Sequence, residues 1–253
     1  MTAAQKKEIA HFLDLSFDAL HGGYRTGKRN YNFTDDVQQD GAEPEDAAVH
    51  SDTLERIADE IQKCTACPLC KNRKNTAPGS GSSRPLVMVI GNPPGAGENA
   101  AGRPFSGISG ERLAKMLAPI GLSPDTNCFV TGIVKCPVPD EEYREPNPAE
   151  TTACAAFLHR QILLLKPRCI LCTGSIAARS LLRTTGDIET LRNKDTKIRV
   201  GDMVIPVAVT YHPDDIWKNE ELKRPAWEDL KKLKIKLEEM KILNKGTSKN
   251  FNF

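Results

Sequence analysis

Four short, continuous apolar runs constrain this chain most: "LVMVI" (Leu86–Ile90), "CFVTGIV" (Cys128–Val134), "RCILC" (Arg168–Cys172) and "DMVIPVAVT" (Asp202–Thr210). A strand with one wet face alternates apolar and polar residues, whereas a run without alternation is buried on both faces. Helical patterns lie between the runs: "GERLAKMLAPIGL", "NPAETTACAAFLHRQILLLK" with Pro148 near its first turn, "GSIAARSLL", and a final "RPAWEDLKKLKIKLEEM". Strands alternating with helices predict an α/β domain with a mostly parallel, four-stranded central sheet covered on both faces.

The order along the chain is also legible. Residues Lys6 to Leu20 place Ile9, Phe12, Leu13, Phe17 and Leu20 on one helical face. A polar stretch follows, acidic from Asp35 to Glu45, which reads as a flexible linker. The expected division is an N-terminal helix and acidic linker over 1–50, the α/β domain over 51–243 starting with Ser51 as a helix N-cap, and a loose tail over 244–253. No run approaches the ~20 apolar residues of a membrane span. The N-terminus carries charges where a secretory signal needs apolar residues, so a cytoplasmic location is expected. The net charge of +2 sets no global preference for nucleic acid; a local basic patch remains open.

Ligands of open parallel sheets bind beyond the carboxyl ends of the strands. Two loops occupy that place: "GNPPGAGEN" (Gly91–Asn99), read as a stiff loop rather than a helix, and "YHPDDIW" (Tyr211–Trp217). Read as a phosphate-binding loop, the first lacks the Lys-Ser/Thr that should follow its glycines.

Eight cysteines in a chain of this expected location point to metal or redox chemistry rather than disulfides. Cys64, Cys67 and Cys70 lie in "CTACPLC", Cys136 follows a strand, and Cys154 lies in a helix. Cys128, Cys169 and Cys172 sit inside strands and read as small buried hydrophobes. Thiolates gathered from separate segments suit zinc or an iron–sulfur cluster, and spacing does not separate the two or exclude Cys70.

Taken together, "CTACPLCKNR", "GNPPGAGENAAGRPFSGISGERL", "VTGIVKCPVPDEEYREPNPAETTAC", "TYHPDDI" and "RPAWEDL" resemble the iron–sulfur (family 4) uracil-DNA glycosylases, in order and spacing, from about Asp59 to Lys234. The resemblance implies a three-layer α/β/α fold. It also implies a [4Fe–4S] cluster on Cys64, Cys67, Cys136 and Cys154, with Cys70 spare, and base excision from DNA, single- or double-stranded, by a monomer. This chain departs from the family pattern in its first loop, in its second strand, in the loop after Cys136 and in the loop after His212, which carries Asp214 and Asp215. Asn92 stands for an acid, Asn99 for an aspartate, Gly132 for an asparagine that reads the uracil edge, and "PVPDEEYREP" for a loop with arginine and asparagine. Glu98, Phe105 and His212 match.

The chemistry assigns roles to these positions. A glycosylase flips the target nucleotide into a pocket, where Phe105 would stack on the base. The leaving base is anionic and needs donors; His212 and a backbone N–H of the Gly91–Asn92 turn are the candidates. Glu98 would stabilise the cationic sugar, and Asn92 would hold water. Ile216 and Trp217 are candidate duplex wedges. Asp214 and Asp215 would oppose phosphates, with Lys218, Lys223 and Arg224 compensating, and Lys71, Arg73 and Lys74 are further phosphate candidates. The alternative is an inactive glycosylase fold that binds nucleic acid or a protein partner.

Overall fold

A computed structural model describes residues 52–139 and 144–243. The expected N-terminal helix, the linker and the C-terminal tail lie outside the described residues.

The apolar runs form four parallel strands in the order β3-β2-β4-β6: β2 (Val87–Gly91), β3 (Cys128–Gly132), β4 (Cys169–Thr173) and β6 (Met203–Thr210). The sheet has six strands rather than the four expected. β1 (Ser80–Gly81) adds antiparallel to β3, and β5 (Thr196–Val200) adds antiparallel to β6. Both escaped the sequence for physical reasons. β1 is two residues with no apolar pattern. β5, "TKIRV", is an edge strand with one exposed face, joined to β6 by a two-residue turn, so it reads as charged surface.

Alternation along β2 divides the core. Met88 and Ile90 face one layer, with Leu158, Ile162 and Leu165 of α4 (Pro148–Leu165) and Ala177 and Ala178 of α5 (Ser175–Leu182). Val87 and Val89 face the other, with Leu113 and Leu117 of α3 (Ile108–Leu117) and Leu230, Leu233 and Leu237 of α8 (Lys223–Glu239). The period-2 geometry of a strand produces both contacts from one apolar run. The result is the three-layer α/β/α arrangement, with α2 (Ala96–Ala101), α6 (Ile188–Arg192) and α7 (Pro213–Lys218) as shorter pieces.

α1 (Leu54–Lys63) begins at Thr53, not Ser51; Thr53 Oγ1 accepts the Arg56 N–H at 3.1 Å. α4 begins with a capping box, in which Asn147 accepts the Glu150 N–H (2.9 Å) and Glu150 accepts the Asn147 N–H (2.8 Å). Arg160 of α4 binds Asp52 and Glu60, which holds α1 along α4. The same two helices carry Cys64, which caps the end of α1, and Cys154, which lies on α4.

Ile90 is fully buried one residue before the end of β2. Ile90→Ala is expected to cost about 2–5 kcal/mol through lost transfer energy and a residual cavity. Ile235→Ala, at a 54% exposed position, should change stability by no more than ~0.5 kcal/mol. Denaturant midpoints measure both.

Candidate active site and metal centre

The parallel register brings Gly91 opposite Gly132 and Thr173 opposite Thr210, so the loops that follow the strands emerge along one edge. Gly91 ends β2 without a side chain. A Cβ there would lie 2.4 Å from the Phe105 ring, so the ring packs directly against the strand backbone. Phe105 itself has φ +49, a strained conformation for a bulky residue. Its carbonyl occupies space that a Cβ on Gly110 would invade at 1.9 Å. Strain of this kind persists only where the surroundings over-determine it. The third constraint is His212, whose ring stacks on Phe105 with centroids 5.6 Å apart and an interplanar angle of 22°.

His212 is the N-cap of α7, and its Nδ1 accepts the Asp214 N–H at 3.3 Å. Burial holds its pKa below the ordinary histidine range, against the opposing pull of Asp214 and Asp215. The ring is therefore neutral at pH 7, and because Nδ1 accepts, the proton sits on Nε2. The site thus contains one oriented N–H donor stacked on an aromatic face.

Half of "GNPPGAGEN" is helix rather than loop: α2 starts at Ala96, with Glu98 in its first turn. Glu98 Oε2 accepts the Gly95 N–H at 3.0 Å. Burial raises the pKa of Glu98, backbone hydrogen bonds oppose this, and Asp214 adds to it. Asn99, in place of the family's aspartate, uses its Oδ1 to accept the N–H groups of Lys74 (2.8 Å) and Asn75 (3.0 Å). That task needs an oxygen, not a charge.

Asn92 turns toward α5, where its Oδ1 accepts the Ala177 N–H at 3.3 Å. Gly174 makes room for it. With φ +100, and with its Cβ position 2.6 Å from Asn92 Oδ1, only glycine fits. Gly132 is equally confined, since a Cβ would meet the Val134 carbonyl at 2.7 Å and the Asn92 carbonyl at 3.1 Å. An asparagine at this position would require the backbone to move.

On α7 the two wedge candidates separate. Ile216 is buried in the core (4% exposed), which removes it as a wedge, whereas Trp217 is 64% exposed. Arg112 of α3 binds Asp214 at 2.7 Å and lies over the Trp217 ring at 4.6 Å. The Asp214 charge is therefore paired, which reduces the expected conflict with phosphates; Asp215 is exposed. Lys223 is paired with Glu220 at 2.6 Å, while Lys218 and Arg224 are exposed.

The cysteines form a second centre. Cys64, Cys67, Cys70, Cys136 and Cys154 line one cavity with Arg73 and Lys135. Cys64 and Cys67 act electrostatically on Cys136, and Cys67 and Cys136 act on Cys154. Burial raises both the Cys136 and the Cys154 thiols, the latter to about 11. Among the described residues, no group of three or more His, Cys, Asp or Glu side chains is placed to hold a metal ion; the thiols line one cavity. Arg73 is not a surface phosphate contact. Its guanidinium donates to the carbonyls of Cys64 (2.7 Å) and Gln62 (2.6 Å) and to Cys136 Sγ (3.4 Å).

The sequence model of the uracil DNA glycosylase superfamily matches residues 78–231. The chain belongs to that superfamily. Its type-4 relatives include the uracil-DNA glycosylases of Pyrobaculum aerophilum (35% identical over 181 residues, 70% of this chain and 91% of that protein) and Saccharolobus solfataricus (36% over 188 residues, 72% and 86%). The protein of Thermotoga maritima is 33% identical over 184 residues, 72% of this chain and 93% of its own.

In this glycosylase fold, Gly91, Phe105 and His212 meet directly, while Asn92 and Gly132 meet through the Asn92 carbonyl. Glu98 stands one helical turn away from Gly95. Sequence reading missed Arg112, Gly174, Lys135 and the inward turn of Arg73. None of these carried a local signal: a lysine after an apolar run is ordinary, as the exposed Lys166 after "ILLL" shows, and the partners of Arg112 and Gly174 are remote in sequence.

Gly91→Ala is expected to cost about 1–3 kcal/mol by overpacking against Phe105. In a double-mutant cycle, Phe105→Ala should relieve part of that cost, giving clear non-additivity in the denaturation midpoints.

Proposed function

We propose that the chain is a monomeric DNA glycosylase of base excision repair, which hydrolyses the N-glycosidic bond of uracil, or of a related deaminated base, and leaves an abasic site. One observation carries this reading: the His212 ring stacks on Phe105 at the carboxyl edge of the sheet, and its Nδ1 accepts the Asp214 N–H, which leaves Nε2 as the donor. The named activity of the type-4 relatives supports it. Free cysteines in the described chain are consistent with a cytoplasmic setting.

The nucleotide rotates out of the stack, and the base rests against Phe105. As the glycosidic bond lengthens, negative charge develops on the base oxygen and positive charge on the sugar. His212 donates Nε2–H to the oxygen, and a backbone N–H of the Gly91–Asn92 turn adds a second donor. The Glu98 carboxylate stabilises the cationic sugar. The Asn92 amide oxygen is committed to α5, so its Nδ2 is the group left to hold water or the base. Gly132 offers no side chain to the base edge, so discrimination falls to backbone groups and pocket shape. Trp217 is the wedge that fills the vacated stack.

Cys64, Cys67, Cys136 and Cys154 would hold a [4Fe–4S] cluster. Four thiols from separate segments that line one cavity suit such a group. Bound there, such a cluster supplies a cross-link between separate segments. Four protein ligands leave it no open position for substrate.

Oligonucleotides containing uracil, hypoxanthine or xanthine, single- and double-stranded, test the activity. Abasic sites are expected from uracil. Their absence on every substrate, with binding retained, would instead favour the binding-module reading. His212→Ala should lower the single-turnover rate by about 10²–10³-fold. The Glu98 pKa is raised, and its charged form is the active one. Excision should therefore fall as pH drops through a value above the ordinary carboxylate range, and Glu98→Gln should flatten that limb of the profile. Trp217→Ala should slow excision from duplex more than from single strands.

A further inference from the structure

Lys135 is the largest fully buried side chain among the described residues, at 1% exposed. Burying an ammonium is costly unless an anion or hydrogen bonds compensate. Its Nζ donates to Thr131 Oγ1 and, at 3.0 Å, to the Gly132 carbonyl. Both acceptors are neutral. Lys135 hydrogen-bonds to no carboxylate among the described residues. It lines the same cavity as the four cysteines. Arg73, the other cation there, bonds Cys136 Sγ. Four metal-bound thiolates would supply the negative charge that two cations in a partly buried site call for.

The Nζ of Lys135 is anchored at the end of β3. Thr131 and Gly132 are the last two residues of β3, and Gly132 is held against the Asn92 carbonyl. Thr131 Oγ1 continues the chain of hydrogen bonds to the Pro78 carbonyl at 3.0 Å, and Ala77 N–H donates to the Lys135 carbonyl at 2.8 Å. One side chain therefore touches both centres.

We propose that Lys135 is the internal counter-charge of the Cys64, Cys67, Cys136 and Cys154 centre and, through the Gly132 carbonyl, a positioning residue for the pocket edge. The inference rests on the reading of those cysteines as a cluster site. A fixed cation beside a cluster favours its more reduced, more negative state, and so raises its reduction potential. It also holds the thiolates against loss of metal.

The test uses the full-length protein, purified anaerobically, as wild type and as Lys135→Met, Lys135→Gln and Lys135→Arg. Iron and sulfide in the wild type are measured first, and their absence overturns the cluster reading itself. With iron present, the variants address Lys135 alone. Lys135→Arg should keep the wild-type potential and cluster lifetime. Lys135→Met and Lys135→Gln should show a reduced-to-oxidised ratio at fixed potential about tenfold lower, equivalent to a midpoint ~59 mV more negative for one electron. Both should also lose visible absorbance to a chelator about tenfold faster. Lys135→Met removes the hydrogen bond to Gly132 as well, so its KM for a uracil oligonucleotide should rise about fivefold, more than that of Lys135→Gln. If Lys135→Met does not fold, the Gln and Arg pair decides the charge question. Wild-type potential and lifetime in the Met and Gln variants would overturn the proposal while leaving the cluster in place.

Discussion

Parallel pairing of β2 with β3 on one side and β4 on the other is the constraint on which the rest depends. It brings Gly91 beside Gly132 and Ile90 beside Cys172, so the loops leaving β2 and β3 start from adjacent positions. Buried on both faces, β2 cannot slip by one residue, because Met88 and Ile90 would exchange layers with Val87 and Val89. The hydrophobic core thereby fixes the height of the site. Gly91 converts that height into a contact: with no Cβ, it lets the Phe105 ring lie on the strand, and His212 then stacks on Phe105.

Charge in the site is arranged to leave few uncompensated groups. Asp214 would repel a phosphate backbone, yet Arg112 neutralises it and packs on Trp217 in the same contact. His212 loses its charge to burial but gains a defined tautomer, which makes it a directional donor. Glu98 is left as the carboxylate nearest the first loop, and its raised pKa reflects burial before any neighbouring charge.

The cysteine centre joins parts of the chain that the sheet does not join. Cys64 ends α1, Cys67 opens the following turn, Cys136 lies beyond β3, and Cys154 lies on α4. Arg160 clamps α1 to α4 from outside, and Arg73 ties the cysteine loop from within. A group held by these four cysteines would cross-link remote segments, and such a link restricts the unfolded chain most when the loops it closes are long.

The sequence by itself determined the four central strands, the two-sided burial and the loops at the carboxyl ends of the strands, because these follow from local periodicity and from glycine, proline and histidine at strand ends. It also marked Phe105 and His212, which the fold brings into contact. It did not reveal β5, whose one-sided pattern resembles surface, nor the helical half of "GNPPGAGEN", where Glu98 caps its own turn despite two glycines. It could not separate Ile216 from Trp217, neighbours that differ by which face of α7 meets the core. Only the tertiary structure decided that Arg112 pairs with Asp214, that Asn92 nests against Gly174, and that Lys135 is bonded to the end of β3 in the cavity that the cysteines line. Those contacts join residues far apart in sequence, and no local propensity encodes a partner that only the packing of separate elements brings within reach.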